Sequence, residues 1–478
     1  MATLLRKQTM NKPLRLSLMA LVTLATLSGC TLEPKYEQPA MPVPANWNVP
    51  AQGTPANGAD IGWKTFFNDP ALQQLVSLTL ANNRDLRVAA LNVESAQAQF
   101  DVDRAALLPT VALGAGGTGA HLPGGLYNTR TTGPVTYHQY QANLGVTSYE
   151  LDLFGRVRSL RDEGLETYLQ TDATQRATQI SLVAETVSGY LSLCADRDLL
   201  TLAQQTVASQ TDSYNLTKAS FDQGVATTQD LAQAETTVRS AQADVASYSR
   251  QVRQDINALN LLAGTTVPQA LIDGATLKRE WHFPAIPAGL PSDLLTRRPD
   301  IVAAEHALKA ANANIGAARA AFFPSITLTG QGGTTSAKLG DLFSGGTGSW
   351  SFMPTLNLPI FDGGVNRANL TIAEVSKKIE VARYEKAIQQ GFQEVSDGLA
   401  GQATYQDELK ARELDTAANQ RNYDTSELRY KQGVDNYLNV LVAQRSLYAA
   451  QQAEITTRLG QLNQTITLYK ALGGGWQP

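Results

Sequence analysis

The chain has 478 residues, with 39 Lys and Arg against 43 Asp and Glu, a formal net charge of −4 at neutral pH. A mildly acidic chain lacks the basic face that nucleic acid requires, which excludes that class of partner. Two cysteines and four scattered histidines show no metal-ligand spacing, and neither Gly-rich stretch carries a phosphate-loop pattern.

Taken in chain order, Arg6, Lys7, Lys12 and Arg15 form a basic segment ahead of an apolar stretch from Leu16 to Leu27. That stretch is too short to span a bilayer as a helix. It ends in Leu27-Ser28-Gly29-Cys30, small residues before a cysteine. Residues 1–29 are therefore expected to be a secretory signal, with Met10 as an alternative start, and Cys30 the lipid-modified first residue of a bacterial lipoprotein. Thr31 stands where sorted lipoproteins retained at the inner membrane carry aspartate, so outer-membrane localisation is expected. Loss of four basic residues leaves 35 against 43 acidic, a charge of −8. Downstream no apolar run is long enough for a membrane helix, so any crossing must use β-strands. Cys194 lies in a helical stretch and reads as a small core residue.

Residues 30–69 form the anchored N-terminal segment, and beyond them the chain repeats itself. Leu107-Leu108-Pro109-Thr110-Val111 matches Phe322-Phe323-Pro324-Ser325-Ile326, Leu153-Phe154-Gly155 matches Ile360-Phe361-Asp362, and Phe221-Asp222-Gln223-Gly224-Val225 matches Tyr430-Lys431-Gln432-Gly433-Val434. The copies run over about residues 70–264 and 299–473, with a linker at 265–298 and a tail at 474–478. Each holds a helix stopped by proline, two strands, a very long helix ended by glycine, and a returning helix. Strands are expected at about 109–120 and 138–153, then 324–335 and 348–361, with the longer strand-to-strand loop in the first copy. Steps of four and three along the long helices (Ile180, Ala184, Val187, Leu191, Cys194; Ile388, Phe392, Val395, Leu399) are coiled-coil spacing. Some 68 residues at 1.5 Å rise span roughly 100 Å.

The strands alternate. Leu144, Val146, Ile326, Leu328, Trp350, Phe352 and Leu356 fall on one side, and Thr, Ser, Asn and Gln on the other. This is the pattern of a membrane barrel with a lipid-facing apolar side, although a single such strand would also suit a soluble sandwich. Four strands cannot close a barrel, and an open edge is forbidden in lipid, so the barrel must be shared between subunits.

With the lipobox, the repeat and the strand pairs, the sequences Arg429-Tyr430-x-x-Gly433-Val434-Asp435, Ala443-Gln444-Arg445 and Leu472-Gly473-Gly474-Gly475-Trp476 resemble the TolC-like outer-membrane efflux factors. The similarity lies with the OprM-like lipoprotein branch serving tripartite multidrug pumps, and covers essentially the whole mature chain. It implies an α+β membrane protein: a homotrimer with a shared twelve-stranded β-barrel, a helical periplasmic coiled-coil tunnel and a mixed equatorial domain. It further implies a periplasmic membrane-fusion adaptor and an inner-membrane RND-type pump as partners, no cofactor and no enzymatic activity. The tunnel tip would lie at the turns Gly224-Val225 and Gly433-Val434, where the adaptor binds. The gate would lie among Asp222, Thr227 and Asp230 at the first turn and Arg429, Tyr430, Asp435, Leu438 and Val442 at the second. Leu438 matches a constricting position, whereas Val442 stands where relatives often have aspartate. A ring of Asp435 would favour cations, and crowding would raise its carboxyl pKa. Each residue also has a local reading: Thr227 and Asp230 as a helix cap, Asp435 as a charge at a helix start, Leu438 as a seam residue. Solute efflux is the leading function, with a type I protein-secretion duct on the same fold and a poreless periplasmic coiled-coil scaffold as the alternatives.

Overall fold

The computed structural model describes residues 31–47, 61–123, 133–284, 286 and 291–476. Cys30 and the signal segment lie outside them. Two short helices, α1 (Trp63–Phe66) and α2 (Pro70–Asn82), precede α3 (Arg84–Ala105), β1 (Val111–Leu122), β2 (Val135–Leu151), the long α4 (Arg156–Asp222) and the returning α5 (Thr228–Ala263). After α6 (Gln269–Asp273) and α7 (Leu294–Arg297), the pattern recurs as α8 (Pro299–Ala320), β3 (Ser325–Ser336), β4 (Gly348–Asn357), α9 (Val365–Lys431) and α10 (Tyr437–Ala471). α4 and α9 each have 67 residues. Among the described residues no helix is long and apolar enough to cross a membrane.

Strand limits differ from the sequence expectation. β4 stops at Asn357, short of 361, because Pro359 has no N–H for the ladder and Asp362 already caps α9, accepting from the Gly364 and Asn366 amides. The extra length of the first copy sits mainly in β2, which has 17 residues against 10 in β4. The intervening segments, 123–134 and 337–347, are nearly equal.

The chain divides into two compact units. One comprises Glu94–Leu169 and His306–Ala382 with the segment up to Gln38. It holds a single antiparallel sheet in the order β1-β2-β3-β4. Its neighbours in register run Leu113–Leu144–Gly332–Trp350 in one row and Val111–Val146–Gly330–Phe352 in the next. Below them Tyr149–Leu328–Pro354 and Leu151–Ile326–Leu356 lie side by side. A bulge between Val146 and Tyr149, with Ser148 at φ 55°, keeps both on one face. Without the extra residue, half of β2 would turn its apolar side over.

The same unit holds the start of the described chain. Thr31 lies against Gly155, and its hydroxyl meets that of Ser159 at 3.4 Å. Asn312 donates to Glu33 Oε1 at 3.1 Å and to the Pro34 carbonyl at 2.7 Å. Arg319 donates to the Leu32 carbonyl, and Lys309 lies over the Tyr36 ring.

The other unit, Pro39–Val93, Gln170–Glu305 and Arg383–Pro478, holds most of the buried core. Ile180, Ala184, Val187, Leu191 and Cys194 are buried at the four–three spacing, as are Ile388, Val395 and Leu399, while Phe392 stacks on Trp47. Burial pushes the Cys194 thiol up to about 12, which makes it an inert core group. Phe66, Phe67, Phe283 and Tyr469 form an aromatic cluster, and the Tyr469 hydroxyl donates to the Ile61 carbonyl at 2.6 Å. Arg298, 6% exposed, pairs with Asp300 and Glu394 and donates to the Ala471 carbonyl, satisfying a buried charge.

Candidate functional site

Two places carry the candidate residues: the turns joining the long helices, and the faces of the sheet.

The turns are built alike. The Gly224 amide donates to the Phe221 carbonyl and the Val225 amide to the Ser220 carbonyl, both at 2.9 Å. Gly433 and Val434 repeat this on Tyr430 and Arg429, again at 2.9 Å. These two bonds make a Schellman turn, whose left-handed residue is glycine at φ 74° and 72°. Such a turn ordinarily tucks its next side chain against the helix it ends. Here Val225 is 79% and Val434 59% exposed.

The returning helices start on caps. Thr227 Oγ1 accepts from the Asp230 amide, and the Asp230 carboxylate accepts from the Thr227 amide at 2.9 Å and its hydroxyl at 2.7 Å. These bonds hold the Asp230 carboxyl below its usual range. Within the chain the cap reading of Thr227 and Asp230 is therefore satisfied. Asn436 caps α10 by accepting from the Asn439 amide. Asp222 pairs with Lys218 one turn back at 3.0 Å.

Asp435 is paired within the chain. Its carboxylate accepts from Arg429 Nε at 2.6 Å, and this bond holds its pKa below the usual carboxylate range. Within the chain the pair carries no net charge. Tyr430 and Tyr437 pack ring against ring at 5.1 Å. α10 buries Val440, Leu441, Ala443, Gln444 and Leu447 and leaves Leu438 and Val442 exposed, one turn apart on one face. Within the chain, Leu438 is not a seam residue.

In the sheet, all seven residues expected to face lipid share one side by register. Trp350 is 82% exposed, and Leu144, Phe352 and Leu356 are also exposed, so among the described residues of the chain nothing covers this side. The other side carries Gln139, Gln141, Asn143, Gln331, Thr335, Ser349, Ser351, Thr327 and Thr355. There Asn143 donates to Gln331 at 2.8 Å, and the Thr335 and Ser349 hydroxyls meet at 3.0 Å. A sandwich would bury its apolar side; this sheet does not.

Three clusters escaped the sequence reading. Asp196 of α4 shares a hydrogen bond with Asp255 of α5, and burial together with that contact pushes its pKa up to about 7. His306 Nδ1 meets Glu166 Oε2 at 2.6 Å. The third is the seat of residues 31–36 described above. All join residues far apart in sequence.

A single sheet that is apolar on one uncovered face and polar on the other, with four strands and helices of about 100 Å, defines an outer-membrane exit channel. The chain belongs to the outer membrane efflux protein family, whose model matches residues 75–265 and 290–474. It is 49% identical to the toluene efflux pump outer membrane protein TtgC of Pseudomonas putida, over 95% of this chain and 94% of that one. The antibiotic efflux pump outer membrane protein ArpC of Pseudomonas putida matches to the same extent, 49% over 95% and 94%. In the solved open state of the MtrE outer membrane channel of Neisseria gonorrhoeae, the fold superposes with TM-score 0.85 at 39% identity, covering 94% of this chain and 99% of that one. The chain is thus an outer-membrane component of an efflux system, forming trimers with a shared β-barrel in the outer membrane and a helical tunnel in the periplasm.

Proposed function

We propose that the two Schellman turns are the periplasmic mouth of the duct, where a membrane-fusion adaptor docks, and that an RND-type inner-membrane pump feeds it. The observation that carries this is the pair of valines, Val225 and Val434, left exposed at positions where such turns ordinarily bury an apolar side chain. The cargo is small organic solutes, in keeping with the toluene and antibiotic pumps named among its relatives. The chain conducts and does not catalyse. Leu438, exposed beside Val442 on α10, closes the resting mouth: three copies around an axis form an apolar ring that resists wetting. The neutralised Arg429–Asp435 pair steadies that turn.

Leu438→Ser is expected to raise single-channel conductance in planar bilayers, with Thr355→Ser on the polar sheet face as the unchanged control. Wild-type conductance in Leu438→Ser would remove the gate from this position.

Cys30 carries the lipid anchor. Thr31, Leu32 and Glu33 are held where β2 passes into α4, so the chain enters this seat beside the end of a membrane strand. Mass spectrometry of the mature N-terminus is expected to find acylated Cys30; an unmodified, uncleaved leader would refute it.

A further inference from the structure

The sheet ends on two unpaired edges, β1 and β4. The tandem repeat supplies a template for what covers them. Within the chain the two copies already meet, because β2 of the first pairs with β3 of the second. At the foot of that seam Phe154 stacks on Phe323, ring centroids 4.7 Å apart. The repeat equates Phe154 with Phe361 and Phe323 with Leu108. Neither equivalent is covered within the chain: Phe361 is 91% exposed and Leu108 69%. Half of a seam is present at each end of the sheet.

We infer that β4 pairs antiparallel with β1 of a second copy in one register, Leu356 opposite the partner's Leu113, and that Phe361 packs on the partner's Leu108. The register follows from carrying the Tyr149–Leu328 pairing through the repeat anchored at Phe154 and Phe361. It matches faces throughout. Leu356 and Leu113 are both on the apolar side, and Asn357 and the partner's Ala112 both on the polar side. It also sets large rings opposite glycines. Phe352 and Trp350 lie opposite Gly330 and Gly332 in their own chain, and in this register meet the partner's Gly117 and Gly119 on the other side. Both glycines lie on the apolar side of β1, where the Tyr140 and His138 rings of β2 lie against them.

Closure tests the register independently. A row starting at Val111 crosses Val146, Gly330 and Phe352 and arrives at the partner's Gly117, six residues further along β1. Repeated over three chains, at about 3.3 Å per residue and 4.8 Å between strands, this stagger tilts the strands by roughly 45°. Membrane barrels tilt by about 35–45°. Anchoring the repeat on the strand partners instead puts Leu356 opposite the partner's Ala115 and raises the tilt to roughly 55°, outside that range. A slip of one residue would turn apolar side chains to the polar face and is excluded.

The inference rests on the shared barrel, and the test separates the two. Asn357→Cys with Ala112→Cys, both on the polar side, is oxidised in outer-membrane fractions and resolved on non-reducing gels. Phe361→Cys with Leu108→Cys provides a second pair at the foot of the seam. Thr355→Cys with Ala112→Cys and Met353→Cys with Thr118→Cys report slips of two residues in either direction. The expected result is a ladder of cross-linked dimer and trimer for the first two pairs, at least tenfold above the slipped pairs. A slipped pair cross-linking as well or better, or no cross-link in an intact trimer by native mass, overturns the register and leaves the shared barrel standing. A wild-type protein that is monomeric in native mass overturns both.

Discussion

Asp196 and Asp255 are two carboxyls in hydrogen-bonding contact between α4 and α5, so they share one proton instead of both ionising. Gln251 donates to Asp255 and Tyr248 lies nearby, but no cation offsets the pair. The folded chain holds this proton more tightly than the unfolded chain does. The associated stability is therefore full below about pH 4 and is lost as pH rises through about 7. Asp196→Asn keeps a donor for Asp255 and removes the titration. The wild-type thermal midpoint should fall between pH 5 and pH 8 relative to that of Asp196→Asn, which should be the more stable of the two at pH 8. Parallel pH profiles for the two proteins would show that the pair does not contribute. In the second copy the equivalent positions are Tyr405 and Gln464, so this sensitivity belongs to one helix pair of the two.

Elements were largely legible in the sequence because their signals are periodic. The four–three spacing located the cores of α4 and α9, glycine located both turns, and alternation put the seven residues expected to face lipid on one side. What escaped was non-periodic or distant. The bulge at Val146–Tyr149 is invisible because alternation is regular on either side of it. Arg298 with Glu394, Glu166 with His306 and Asp196 with Asp255 become neighbours only after folding. The Arg429–Asp435 pair escaped because Arg429, six residues earlier, returns to Asp435 only through the turn. The two-sided sheet makes a sharp prediction. Phe352→Arg places a charge on the apolar side near the middle of β4, at a cost on the order of 2–4 kcal/mol at the bilayer midplane. It should lower the yield of assembled trimer in outer-membrane fractions severely, whereas Thr327→Lys, on the polar side, should assemble close to wild type. Equal losses from both would mean the sheet does not separate lipid from water.

At the scale of the molecule the repeat governs organisation. Each chain supplies two strand pairs and two long helical hairpins, and the second copy differs from the first mainly in the shorter β4 and the added glycines Gly363 and Gly364 before α9. The polar sheet side is uncharged over most of its length, lined by amides and hydroxyls, which suits a conduit passing diverse solutes without holding any of them. The two bare edges of the sheet carry a further consequence, one of gene dosage. A lone chain in a bilayer would leave β1 and β4 with unsatisfied backbone groups, each costing several kcal/mol, so insertion and assembly are one event requiring three chains. Duct formation then rises steeply with the supply of chains. An allele with a defective edge is dominant: when it is expressed equally with the normal one and mixes freely, only about one ring in eight is built wholly of sound subunits.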